Sequence, residues 1–235
     1  MEIVADIPAL CAKVDAVLLL SVDGRRHLEQ AKPVIAARKP LFIDKPMAAS
    51  LADAREIFRL AAEAKVPVFS SSALRFVPGI AQARSDASVG GVLGCAAYSP
   101  CSLEPHHPDL FWYGIHGVEI LFTIMGPGCE SVVRVHTEDA DLVVGRWKDG
   151  RIGSYRGIRK GEASTGALVF GEKRMVRAEE GSGSVYRPLL AEVVTFFRTG
   201  MAPVPAEETL EILAFMEAAD ASKKDGGRPA PLAGK

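Results

Sequence analysis

The sequence predicts an α/β protein: a parallel sheet in its first third, followed by an α+β region. Two observations carry this. Three short apolar runs alternate with helical stretches before residue 70, and after residue 78 the pattern changes to strands of alternating character and then to helices.

The first run, Val14-Asp15-Ala16-Val17-Leu18-Leu19-Leu20-Ser21, ends at the turn signal Asp23-Gly24. Its continuous apolarity predicts a strand buried on both faces. A helical stretch over 26–38 carries Leu28, Ala31, Ile35 and Ala36, with a bend expected at Pro33. The second run, Leu41-Phe42-Ile43, ends at Asp44-Lys45-Pro46. Ser50-Leu51-Ala52-Asp53 resembles a capping box, and Ala54, Ile57, Phe58, Ala61 and Ala62 follow at helical spacing up to Lys65. Val66-Pro67-Val68-Phe69-Ser70 is the third run. Strand, helix, strand, helix, strand is two consecutive βαβ units with right-handed crossovers.

Phe76-Val77-Pro78 marks a boundary, dividing the chain into 1–76 and 77–235. Beyond it the pattern predicts a short helix over 78–86 and strands over 92–98, 132–137, 141–147, 151–157, 167–170 and 174–178. Asp149-Gly150 is read as a hairpin turn. Helices are predicted over 113–125, stopped by Gly126-Pro127-Gly128, and over 186–199 and 207–224. The tail, 226–235, is rich in Gly and Pro and is expected to hold little regular structure.

Composition narrows the function. The 28 Lys and Arg balance 29 Asp and Glu, a net charge of -1, so nothing attracts a polyanion at long range and no nucleic-acid partner is expected. The four cysteines form no CxxC pair and are read as free thiols of a reducing compartment. The apolar run at 16–20 is far too short to span a membrane, and the N-terminus lacks a basic region followed by an apolar one. The expectation is a cytoplasmic protein without a membrane partner.

In parallel sheets, ligands bind outside the carboxyl ends of the strands. Those ends are Ser21-Val22-Asp23, Asp44-Lys45-Pro46 and Ser70-Ser71-Ser72. A Lys directly after a buried strand, fixed by a Pro, is an expensive position for a merely solvated charge. His116 and Glu119 share one face of the helix predicted over 113–125. Cys101-Ser102-Leu103-Glu104-Pro105-His106-His107-Pro108-Asp109 is a polar loop leading to Leu110-Phe111-Trp112-Tyr113. Its histidines match no familiar ligand spacing, so no metal is expected. Its imidazoles can bond hydroxyls and its aromatic faces can stack on rings, which makes His106, His107, Trp112 and Tyr113 candidate ligand contacts. A plain surface loop is the alternative.

The run from residue 14 to 76, with His27 after the first strand and Asp44-Lys45-Pro46 after the second, resembles the Gfo/Idh/MocA oxidoreductases, relatives of glucose–fructose oxidoreductase and inositol dehydrogenase. Gly114-Ile115-His116-Gly117-Val118-Glu119 resembles that family's Asp-x-Gly-x-His-x-x-Asp signature, with Trp112 at its first Asp. The resemblance implies a partial Rossmann-type NAD(P)-binding domain over 1–76. It implies a substrate and oligomerisation domain with an open, mostly antiparallel sheet over 77–235. It further implies hydride transfer between NAD or NADP and a sugar or polyol, and a homo-oligomer. Lys45 and His116 would be catalytic, and Ser21, His27, Asp44, Lys45 and Pro46 would bind cofactor. The family opens with a strand, a G-x-G-x-x-G turn and a helix. No glycine cluster of this sequence has that spacing, so about 50–60 residues, two β-α steps, are expected to be missing. Weak cofactor binding or none follows, and residues 17–20 are expected at a sheet edge with apolar surface exposed. A non-catalytic relative that binds a ligand or partner is the competing reading; a metal hydrolase built on the His loop is a distant third.

Overall fold

The computed structural model describes residues 2–105, 107–181 and 183–233. They form two compact units: the chain through Ser71 with Leu190–Leu210, and Ser72–Leu189 with the chain from Glu211 onward.

The first unit opens with α1 (Ile7–Cys11), which apolar periodicity could not signal in five residues. Asp6 caps it by accepting from the Ala9 N–H at 2.8 Å. Then come β1 (Val17–Leu19), a 3-10 turn (Gly24–Arg26), α2 (His27–Ala36), β2 (Leu41–Asp44), α3 (Leu51–Ala64) and β3 (Val68–Ser71). The strands are parallel in the order β1-β2-β3, pairing Val17 with Leu41 and Leu41 with Val68. Ser50 caps α3 by accepting from the Asp53 N–H at 3.1 Å. Central β2 is buried along Leu41, Phe42 and Ile43.

The expectation that β1 is buried on both faces is corrected. It is an edge strand, so Val17 and Leu19 are buried while Leu18 is 44% and Leu20 58% exposed. An apolar run specifies a strand but not the number of its neighbours. The exposed edge accords with the other expectation for residues 17–20. Pro33 sits within α2 near its end, where few intrahelical bonds depend on it. The Phe69 ring meets Phe42 at 5.0 Å and Phe196, from α6 (Tyr186–Thr199), at 4.7 Å.

The second unit contains α4 (Pro78–Ala81), shorter than the helix predicted over 78–86. It continues with β4 (Val92–Pro100), a 3-10 turn (Asp109–Phe111), α5 (Gly114–Met125), β5 (Cys129–His136), β6 (Ala140–Trp147), β7 (Ile152–Ile158), β8 (Gly166–Gly171) and β9 (Met175–Glu179). It closes with residues of α7 (Ala206–Lys224) and with β10 (Ala230–Pro231). The seven strands run in the order β10-β5-β6-β7-β4-β8-β9; β4 and β7 are parallel, the other pairs antiparallel. The tail expected to lack regular structure instead supplies β10. Ser222 Oγ donates to the Arg228 carbonyl at 2.7 Å, and the Leu232 N–H reaches Glu130 at 3.0 Å. Such pairing depends on a distant strand and leaves no local sign.

Gly117 lets α5 lie directly on the sheet. A Cβ there would stand 2.1 Å from the Tyr155 ring and 2.8 Å from Ser99 Oγ. The opposite face of the sheet leaves Val135, Leu142, Ile152 and Phe170 exposed. A shallow cleft of about 510 Å³ on that face is lined by Val133, Val144, Arg146, Ile152 and Pro229 among others.

Candidate functional site

In the first unit the loops after β1 and β2 are tied by His27, which is fully buried. Its Nε2 lies 2.7 Å from the Ser21 carbonyl, and its Nδ1 lies 3.0 Å from the carbonyl of Pro46. His27 therefore shapes the strand ends through its neighbours. Ser21 Oγ donates to Gln30 Oε1 at 2.6 Å. Gly24 packs against the same loop, where a Cβ would meet Pro46 Cγ at 3.0 Å. Asp44 and Lys45 are half-buried at the carboxyl end of β2. Burial pushes the Asp44 carboxyl up and the Lys45 ammonium down, and the attraction between the two charges opposes both shifts.

In the second unit a tight cluster surrounds the start of α5. Ser72 caps the 3-10 turn Ala73–Phe76, its Oγ accepting from the Leu74 N–H at 3.2 Å. The same Oγ lies 2.8 Å from His116 Nδ1. Glu119, one turn on and buried, accepts from the Ser72 N–H at 3.2 Å through Oε1 and from Arg75 Nε at 2.8 Å through Oε2. Helical spacing put His116 and Glu119 on one face. The partners they meet, Ser72 and Arg75, were not expected, although a Ser just after a strand is a candidate cap for the turn that follows.

Three rings lead away from His116 in this cluster. His107 and Trp112 have centroids 4.4 Å apart, Trp112 and Tyr113 5.7 Å, and Tyr113 and His116 5.8 Å. Glu104 Oε2 bonds His107 Nδ1. His106 lies outside the described residues. Among the described residues no group of three or more His, Cys, Asp or Glu side chains could hold a metal ion, and no helix is long and apolar enough to cross a membrane.

The segment before α5 is anchored from below by Arg134, whose side chain is fully buried. Arg134 donates to Asp141 at 2.8 Å, to Asp220 at 2.6 Å and to Asp109 at 2.7 Å; Lys223 adds a second bond to Asp109 at 2.8 Å. Arg159 also pairs with Asp141. Burial opposes ionisation of Asp141, yet the bonds from Arg134 and Arg159 hold it down at about 2. Asp109 is held low by Arg134 and Lys223 against the same penalty. Asp220, half-buried and facing the negative charge of Asp109, is pushed up to about 6. One guanidinium does not offset three carboxylates equally.

Residues 1–72 match the family model GFO_IDH_MocA, described as an oxidoreductase family with an NAD-binding Rossmann fold. No curated protein sequence matches the chain. Among solved structures the chain is similar to a probable dehydrogenase from Thermotoga maritima at 21% identity and a TM-score of 0.84, over 97% of this chain and 83% of that one. It is similar to GenD2 from gentamicin A biosynthesis, solved with NAD, at 19% identity and a TM-score of 0.85, over 99% and 83% of the two chains. It is also similar to the scyllo-inositol dehydrogenase from Lactobacillus casei at 14% identity and a TM-score of 0.83, over 97% and 83%. The architecture is a parallel Rossmann-type sheet joined to a larger, open, mostly antiparallel one. The fold is that of the Gfo/Idh/MocA-like NAD(P)-binding oxidoreductases.

Proposed function

We propose that the protein is an NAD(P)-dependent oxidoreductase that moves a hydride between the nicotinamide and a carbinol carbon of a sugar or polyol. Residues 1–76 would serve the cofactor and residues 77–235 the substrate and self-association. The observation that carries the reading is His116, held through Nδ1 by the buried Ser72, the arrangement a ring needs to exchange a proton through Nε2. The fold and the NAD held by GenD2 support the cofactor class; the scyllo-inositol dehydrogenase supports the polyol.

The residues fit one end of such a cofactor: Ser21 and a half-buried Asp44-Lys45 pair follow adjacent strands at the carboxyl end of a parallel sheet. When bound, the nicotinamide supplies the hydride acceptor. Oxidation removes the carbinol C–H as hydride and its O–H as a proton, leaving a carbonyl. His116 takes that proton on Nε2 and returns it in the reductive direction. Lys45, half-buried after β2, would stabilise negative charge developing beside the nicotinamide. Tyr113, His107 and Trp112 would meet the ring of the substrate. The open sheet face, with Leu142 and Ile152 exposed, would form a homo-oligomer contact.

Titration with NADH and NADPH, reading energy transfer from tryptophan to the nicotinamide, tests the cofactor. Saturable transfer is the expected result. No transfer at any cofactor concentration would overturn the oxidoreductase reading and favour the ligand-binding relative, for which Trp112 in place of an acid is the motivating feature.

A further inference from the structure

We infer that Ser72 is the positioning residue for His116: its hydroxyl holds the neutral imidazole in the Nδ1–H tautomer and leaves Nε2 as the accepting nitrogen. The inference deepens the proposed role of His116 and rests on it for its catalytic meaning, though not for its test. A base that works through Nε2 must carry its resting proton on Nδ1, and that proton needs an acceptor. Ser72 Oγ is placed there, 2.8 Å from Nδ1. Once His116 has taken a second proton, Nδ1–H persists and needs the same acceptor, so one contact serves both states.

Ser72 itself is fixed from two further sides. The Leu74 N–H donates to its Oγ at 3.2 Å, a bond that also caps the following turn. Its own N–H is held at 3.2 Å by Glu119, which Arg75 locks in turn at 2.8 Å. Ser72 is fully buried and Glu119 nearly so, while His116 is half-buried. The positioning group is thus the more deeply buried member of the pair. Oγ has two lone pairs, which the Leu74 N–H and the Nδ1–H together fill. A hydroxyl orients the ring without adding the negative charge that a carboxylate would.

Nitrogen NMR of the labelled full chain tests this directly. The His116 ring signals are assigned by their loss in His116→Gln, and spectra are taken where the ring is neutral. The expected result is a proton on Nδ1 in the wild-type protein. Ser72→Ala should move it toward Nε2, the tautomer that free imidazole prefers, and Ser72→Thr, which keeps the hydroxyl, should leave it on Nδ1. A neutral wild-type ring protonated on Nε2 overturns the inference, and so does a Ser72→Ala spectrum with unchanged ring nitrogens. If Ser72→Ala does not fold, the wild-type tautomer and the Ser72→Thr spectrum decide alone. Where turnover is measurable, Ser72→Ala should lower kcat about tenfold with little change in KM, and Ser72→Thr should restore it. Full turnover by His116→Gln would defeat the catalytic reading and leave the tautomer result standing, so the two failures are distinguishable.

Discussion

Arg134 Nε lies 2.8 Å from Asp141 Oδ1, and neither side chain has any solvent exposure. The same guanidinium reaches Asp109 at the turn before α5, which ties the segment carrying Trp112 and Tyr113 to strand β5. Removing the cation would leave Asp109, Asp141 and Asp220 facing one another in a buried setting. Arg134→Met should therefore destabilise the protein by about 3–5 kcal/mol. Chemical denaturation would show this as a lowered midpoint; a midpoint within error of wild type would show that the network contributes nothing.

Asp220 makes part of that stability depend on pH. Its carboxyl is raised from 3.8 to about 6, so between those values the folded state holds a proton that the unfolded chain has released. Stability contributed by this group falls as pH rises from about 4 to about 6 and is flat above. Asp141 acts in the opposite sense: held at about 2, it stabilises the fold above its unfolded value of 3.8, and that contribution is lost as pH falls toward 2. Asp220→Asn should stabilise the protein at pH 8 by on the order of 1–3 kcal/mol and change little below pH ~4. Denaturation midpoints at the two pH values test it. A substitution that destabilises at pH 8 would show that the Asp220–Arg134 attraction outweighs the repulsion from Asp109.

Gly117 follows His116 directly and sits where any Cβ would enter the Tyr155 ring at 2.1 Å. Tyr155 is fully buried. Gly117→Ala should cost about 1–3 kcal/mol or more and disturb the His116 signals, because α5 must lift from the sheet. Unchanged stability would mean that the helix shifts freely, contrary to the packing described.

The open sheet face makes a separate prediction about assembly. Leu142 and Ile152 stand on it among Val133 and Val144, with no covering element described. Leu142→Glu should shift the protein toward the monomer in sedimentation or size-exclusion measurements while leaving its fold intact. A wild-type protein that is already monomeric at high concentration would remove the proposed contact.

Local features were legible in the sequence and non-local ones were not. The apolar runs at 41–43 and 66–70 and the Ser50 cap read correctly because each reports its own backbone. Lys45 and His116 could be singled out from a strand end and a helix motif. The exposure of Leu18 could not be read from its own run, since it depends on how many strands flank β1. Ser72 meets His116 across 44 residues of sequence, and Arg134 meets Asp220 across 86, so no periodicity announces either. Strand β10 escaped for the same reason: its Gly- and Pro-rich composition suggests loop, and only β5 gives it a partner.

The pH dependence of nicotinamide reduction tests the central claim most directly, with a polyol substrate and the wild-type and His116→Gln proteins compared at saturating NAD or NADP. The account predicts a wild-type rate that falls on the acid side as His116 is protonated. The His116→Gln rate should be lower by about 10²-fold or more and lack that limb. A His116→Gln protein with the full wild-type rate across about pH 6–9 would contradict it, because no His base would then be titrating in the reaction.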